Sequence, residues 1–229
     1  MEAFHNSVFF GVTVSIVAYG LGCLLKNKFK LAIFNPLLIS IIITILILLV
    51  SHIDYDTYYT GAKYLSYLLT PATVCLAVPL YEKLELLKSN WKAILAGILS
   101  GVLTTLCCIL VMSLIFGLSH EEYITFLPKS ITTAIGMGVS EELGGYVTLT
   151  VAVIIITGIL GNILAPFICK WFHIKEPIAK GIAIGSASHA IGTTKALEMG
   201  EIEGAMSGLS IAVSGILTVG GASLFSKFI

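Results

Sequence analysis

The sequence predicts an all-α, polytopic membrane protein with six or more transmembrane helices. Hydrophobic residues make up 57% of the chain and charged residues 11%. The mean hydropathy is +0.99, far above that of a soluble domain. Uncharged stretches near or above the roughly 17 to 20 residues that a spanning helix needs cover 7–25, 31–51, 64–81, 93–117, 145–169 and 204–226. Six crossings are therefore the expected minimum.

Several of these predicted helices contain residues that start, bend or interrupt a helix. Proline removes a backbone donor and disturbs the preceding turn, so it marks a helix start or a kink. A buried asparagine needs hydrogen-bonding partners, which either a neighbouring helix or a polar pathway can supply. The candidates for a helix break or a pathway position are Asn35, Pro36, Pro71, Thr73, Pro79 and Asn162.

Two further apolar stretches, 123–139 and 178–197, contain Lys, His or Pro together with many Gly, Ser and Thr. We call them the first and second polar segments. Such groups are expensive in hydrocarbon and are tolerated where they are buried in protein or line a polar cavity. We therefore expect two re-entrant or broken helices, with the break of the second one near Gly192-Thr193-Thr194.

Lysines in the short loops predict the orientation of the chain. They cluster after the first and third predicted helices and after 145–169, whereas acidic residues occupy the loops between. Cytoplasmic loops carry the excess of basic residues, so the N-terminus is expected outside. The first polar segment would then enter and leave on the outer side.

A short pattern occurs once in each polar segment. Ala-Ile-Gly and, five residues later, Glu-x-Gly appear at 134–144 and again at 190–200, and Gly-Ile-Leu follows at Gly158 and Gly215. One predicted crossing separates the copies, which is the arrangement of an inverted repeat with units 122–172 and 177–229. Chance recurrence of small residues in a Gly-rich apolar chain is the alternative.

Four ordered strings resemble the LrgB/CidB family over nearly the whole chain. They are Asn35-Pro-Leu-Leu-Ile-Ser40, Pro71-Ala-Thr-Val-Cys-Leu-Ala-Val-Pro-Leu-Tyr81, Pro128-Lys-Ser-Ile-Thr132 and Ser188-His-Ala-Ile-Gly-Thr-Thr-Lys-Ala-Leu-Glu198, the last followed by Glu203-Gly-Ala. Cys75 and Ala134 stand where the family pattern leads us to expect another small residue and Pro. Neither departure removes a polar group.

The resemblance implies a protein of the bacterial inner membrane with one LrgB-like domain over 1–229. It also implies a smaller LrgA/CidA-like membrane protein as partner, in a homo- or hetero-oligomer. The family is also similar to the plastid glycolate/glycerate translocator. Its bacterial members are described both as antiholin-like modulators of murein hydrolase and cell lysis and as carriers of pyruvate-like monocarboxylates. The paired polar segments favour a carrier, with proton coupling, over the antiholin-like alternative.

Ionisable residues inside the polar segments are the first candidates for a binding site. His189 could carry a coupling proton or contact a carboxylate, or it could be a neutral core imidazole. Lys195 and Lys129 could hold a substrate carboxylate, or their ammonium groups could reach the interface. Glu198 and Glu142 could pair with these lysines or take protons, or they could cap segment ends.

Hydroxyls and backbone amides complete the predicted substrate site. A small oxygen-rich anion needs such donors because the chain has no arginine. Helix packing through small faces is the structural alternative for any one of them. The residues are Ser188, Thr193, Thr194, Gly192, Ser130 and Thr132. No enzyme, nucleic-acid or metal pattern is present, and no cofactor is expected.

Overall fold

The computed structural model describes residues 7–29 and 34–229, and all regular structure in these ranges is helical. Residues 31–33 of the second predicted helix and the side chains of Thr73 and Pro79 lie outside the described residues. The helices are α1 (Val8–Phe29), α2 (Pro36–Val50), α3 (Tyr55–Ala62), α4 (Leu69–Glu82), α5 (Leu84–Phe116), α6 (His120–Phe126), α7 (Thr133–Leu143), α8 (Val147–Trp171), α9 (Pro177–Met199) and α10 (Glu201–Phe225), with a 3₁₀-helix at Lys63–Leu68.

The all-α prediction is confirmed, and the described residues contain 4 helices long and apolar enough to cross a membrane. They are Phe9–Phe29 within α1, Leu84–Phe116, Val147–Trp171 and Glu201–Phe225. The helix α2 is apolar but has 15 residues, about 22 Å against a hydrocarbon core of about 30 Å. Six or more crossings therefore stay a prediction.

Two predicted helices differ from the observed ones. The stretch 64–81 divides into the 3₁₀-helix and α4, and Pro71 lies in the first turn of α4, where the absence of its N–H costs little. The stretch 93–117 is only part of α5, which begins at Leu84, about two and a half turns earlier, and has 33 residues. Charged residues such as Lys88 and Lys92 led us to expect a loop there, but they lie on exposed positions of the helix.

The chain forms two compact units, Met1–Cys75 and Leu76–Ile229. In the first unit, α1 packs against α2 and α3 through glycines. A Cβ on Gly22 would come within 2.6 Å of the Pro36 carbonyl oxygen, so the backbones approach closely. Asn35 caps α2, because its Oδ1 accepts hydrogen bonds from the amides of Leu37 and Leu38 at 2.9 and 3.2 Å.

In the second unit, α9 packs against α10, α8 and α5. Small residues on both sides allow these contacts: Gly97 and Gly101 of α5 lie against Ile182 and Ser186 of α9. On another side of α9, Gly185 lies against the Ser207 backbone of α10. Close packing of small residues, rather than hydrophobic burial, drives helix association in lipid.

We expect Gly185→Ala to lower the melting temperature of the detergent-purified protein by several degrees. The added Cβ would meet the Ser207 carbonyl and come within 2.8 Å of the Ser207 Cα, so backbone must move. Overpacking of this kind costs about 1–3 kcal/mol. Gly220→Ala on α10 is the matched control, because nothing lies within 4 Å of its Cβ position. Equal melting temperatures for the two variants would contradict this account of the α9–α10 contact.

Candidate binding site at the break in α9

The helix α9 is interrupted at His189, whose φ of 42° and ψ of −144° are not helical. L-residues with bulky side chains rarely adopt a positive φ, and such a conformation costs about 1–3 kcal/mol. Composition led us to expect the break at Gly192-Thr193-Thr194. That prediction is wrong, because the break lies at His189. Gly192 is helical and serves close packing instead, because a Cβ there would come within 3.2 Å of the Ser188 Oγ.

A hydrogen bond to α8 and a chain of hydrogen bonds through Thr193 to α10 hold His189 in this conformation. Its side chain is buried, and Nε2 lies 3.0 Å from the carbonyl oxygen of Ile154 in α8. A carbonyl can only accept, so Nε2 carries the proton and donates. The Thr193 hydroxyl donates to the His189 carbonyl at 2.9 Å. The Ser207 hydroxyl of α10 lies 2.7 Å from the Thr193 Oγ1 and therefore donates to it.

The helix α8 faces the break with small and polar residues. A Cβ on Gly158 would lie 2.7 Å from His189 Cε1 and 2.8 Å from Ile191 Cβ, and one on Gly161 would meet the Ser188 hydroxyl. Asn162 donates from Nδ2 to the Ile191 carbonyl at 2.8 Å and to the Thr194 Oγ1 at 2.9 Å. Asn162 thus joins α8 to the part of α9 that follows the break.

The first polar segment is also broken, between α6 and α7. The intervening residues include Lys129, whose Nζ lies 3.1 Å from the Ser130 Oγ. Lys129 makes no ion pair with any residue that the structure describes. Ser130 is buried, and Thr132 immediately precedes α7 without donating or accepting a side-chain cap bond.

Both polar segments meet at Ile154. Its carbonyl oxygen accepts the hydrogen bond from His189 Nε2, while its side chain lies against Gly136. Two broken segments of the chain thus share one point on α8.

Other predicted site residues lie in different surroundings. Lys195 forms an ion pair with Glu198 at 2.8 Å, and both side chains are partly exposed. Glu142 is exposed on α7 and makes no ion pair with a described residue. Asn35, Pro36 and Pro71 belong to the first compact unit, whereas the polar segments belong to the second.

The polar side chains at the two breaks include hydrogen-bond donors for a small oxygen-rich anion. The Lys129 ammonium and the Ser130 and Ser188 hydroxyls are donors suited to carboxylate oxygens. Within the described residues, no three His, Cys, Asp or Glu side chains come together as a metal-binding group.

Sequence reasoning missed several buried polar residues of this unit. Glu203 is 7% exposed and lies 3.6 Å from Lys180. The Thr150 hydroxyl lies 2.7 Å from Ser140 Oγ and 3.0 Å from the Thr125 carbonyl, joining α8, α7 and α6. Glu203 follows one of the four strings that resemble the family, but nothing in its spacing indicated that the carboxylate is buried.

Comparison with known proteins gives one family. A model described as the LrgB-like family matches residues 15–228. Similar curated proteins, both called "Antiholin-like protein LrgB", come from Bacillus cereus (strain B4264) and Bacillus anthracis (strain A0248). Each is 36% identical over 222 residues, which cover 96% of either chain. No solved structure matches.

We expect His189→Gly to unfold at a higher temperature than His189→Ala. Both variants lose the imidazole and its bond to Ile154, but only alanine keeps the strain of a positive φ. The difference should be about 1 kcal/mol in favour of glycine, a few degrees in melting temperature. Thermal unfolding in detergent measures it. An alanine variant as stable as the glycine variant would show that the break is not strained.

Proposed function

Because the chain belongs to the LrgB-like family, we propose that it has the antiholin-like function named for its relatives, modulating murein hydrolase activity and cell lysis. The support is the identity of 36% across 96% of both chains, which leaves no large region without a counterpart. Helices long and apolar enough to cross a membrane fit a protein that acts there.

A second candidate function is secondary transport of small monocarboxylates of the pyruvate, glycolate or lactate class, with proton coupling. One observation favours it: the buried, strained His189 at the break in α9. A protein that only associates with other helices gains nothing from such a residue. Carriers place discontinuous helices and ionisable groups at their binding sites. A lysis phenotype would then follow from altered metabolism.

In this proposal His189 carries the coupling proton, and Lys129 holds the substrate carboxylate. Ser130, Thr132 and Ser188 supply hydroxyls. Thr193 and Asn162 hold the broken backbone through the hydrogen bonds already described. Lys195 and Glu198 neutralise each other and act as charge partners rather than as direct ligands.

The proposed inverted repeat is supported by the order and length of the elements. In the first unit of the repeat, the break is followed by α7, which has 11 residues. Gly144, a glycine with left-handed backbone angles, ends α7, and α8 follows with 25 residues. In the second unit, the break at His189 is followed by the last part of α9. Gly200 comes next, and α10 follows with 25 residues. Each Ala-Ile-Gly sequence lies directly after its break.

Reciprocal contacts give further support. The side chain of Ile135, in the first Ala-Ile-Gly, lies 3.1 Å from the Cβ position of Gly215 in α10. Ile191, in the second, has its Cβ 2.8 Å from that of Gly158 in α8. Each isoleucine therefore packs on the Gly-Ile-Leu glycine of the other unit. Pairs of this kind are what a two-fold relation between two similar units produces.

The remaining features of the proposal concern the whole assembly. A single LrgB-like domain over 1–229 would cross a bacterial inner membrane six or more times with its N-terminus outside. It would work in an oligomer with a smaller LrgA/CidA-like protein. The lysines of the loops and helix ends support the orientation.

The first test is uptake of labelled pyruvate and glycolate into proteoliposomes, with and without the smaller partner, across a pH gradient. A carrier should show saturable uptake that His189→Gln and Lys129→Gln lower about tenfold or more, since a hydrogen bond to a charged group contributes ~1.5–3 kcal/mol. His52→Gln is the matched control, because His52 also has a positive φ but is exposed.

The outcomes separate the two functions. Wild-type protein with its partner that shows no uptake but leaks unrelated solutes would overturn the carrier. Murein hydrolase activity in cells that express the same variants tests the antiholin-like function. If His189→Gln abolishes uptake and also the effect on hydrolase activity, transport underlies that effect.

Single cysteines at Ser130 and Ser188, in a protein without its five native cysteines, test the repeat. We expect membrane-impermeant thiol reagents to reach the two positions from opposite sides, because an inverted repeat opens its broken segments to opposite faces. Labelling of right-side-out and inside-out vesicles measures the side. Access to both positions from the same side alone would exclude the opposed arrangement.

A further inference from the structure

We propose that a basic cavity between the end of α8 and the start of α9 binds the phosphate group of an anionic phospholipid. The cavity has a volume of about 540 Å³. Its basic lining residues are Lys170, His173, Lys175 and Lys180, and Pro166 and Met199 are among its apolar ones. The site lies away from His189 and does not depend on either proposed function.

The cavity carries a net positive charge. Lys180 is paired with the buried carboxylate of Glu203 at 3.6 Å. Lys170 and Lys175 are exposed and form no ion pair within the part of the chain that the structure describes. Glu176 is exposed next to Lys175 and does not line this cavity. Two ammonium groups thus stay available for an anion, with His173 beside them.

Aromatic residues place the cavity at the membrane surface. The candidate span α8 ends at Trp171, which is 77% exposed, and Phe172 follows at 67%. Their ring centroids are 5.5 Å apart. Exposed aromatic rings at the end of a spanning helix lie at headgroup depth, where basic pockets meet lipid phosphates.

The mixed lining favours a lipid over a soluble phosphate. Lys170 and Lys175 contact the phosphate, while Pro166, Cys169 and Met199 offer apolar surface to the adjoining glycerol and acyl chain. Lysine presents a point charge and not a planar fork, so the site should select for negative charge more than for headgroup shape. Phosphatidylglycerol and cardiolipin should both bind, and phosphatidylcholine should bind weakly.

Native mass spectrometry of the detergent-purified protein tests the proposal, with phosphatidylglycerol, phosphatidylcholine, glycerol phosphate and inorganic phosphate as separate probes. Lys170→Gln and Lys175→Gln should each weaken phosphatidylglycerol binding about fivefold, the effect of one lysine near an anionic surface. Lys175→Arg should retain binding because it keeps the charge. Lys92→Gln is the matched control, because Lys92 is also exposed beside an exposed tryptophan, Trp91.

Each other outcome overturns the proposal. Equal binding of glycerol phosphate or inorganic phosphate would indicate a soluble anion as the ligand. If Lys92→Gln weakened phosphatidylglycerol binding equally, the binding would depend on the overall charge of the protein surface and not on this cavity. Unchanged binding in the Lys170 and Lys175 variants, with melting temperatures like that of wild type, would exclude the cavity as the site.

Discussion

The hydrogen bond from His189 to the Ile154 carbonyl is the interaction on which the second unit depends. Without it, a bulky residue would have no reason to keep a positive φ in the middle of a helix. The bond fixes where α9 breaks, and Asn162 and Thr193 add hydrogen bonds to the carbonyls of Ile191 and His189 beside the break. Gly158 and Gly161 then follow as a requirement, because only glycine lets α8 approach the broken backbone so closely.

The α9–α10 contact shows a related constraint. Lipid offers no hydrophobic advantage to helix association, so close approach and hydrogen bonds must supply it. Gly185 on one helix and Ser207 on the other meet both needs, since Gly185 touches the Ser207 backbone while the Ser207 hydroxyl donates to Thr193. Ser207 therefore takes part both in the close packing of α9 against α10 and in the hydrogen bonds beside the break.

Hydropathy alone predicted the strongest features of the fold. The helices α1, α8 and α10 lie where long uncharged stretches predicted them, because burial in lipid depends on composition. Lone ionisable residues likewise identified His189 as unusual. The position of the break in α9 was predicted wrongly, however, because composition favoured Gly192 as the residue that interrupts the helix. The choice of His189 depends on a carbonyl 35 positions away in the chain, and no local pattern records such a partner.

The start of α5 was hidden for a similar reason. Charged residues beside an apolar stretch indicated a loop, yet Lys88 and Lys92 lie within the helix, which extends beyond that stretch. The pairing of Lys195 with Glu198, in contrast, was one of the alternatives that the sequence offered, and the structure has it as an ion pair at 2.8 Å.

The hydrogen bond at Nε2 has a consequence for the traffic of protons. With Nε2 committed to the Ile154 carbonyl, the imidazole can gain or lose a proton only at Nδ1. Protonation of the ring therefore depends on one nitrogen atom. If water connects Nδ1 to only one side of the membrane, the ring can take its proton only from that compartment.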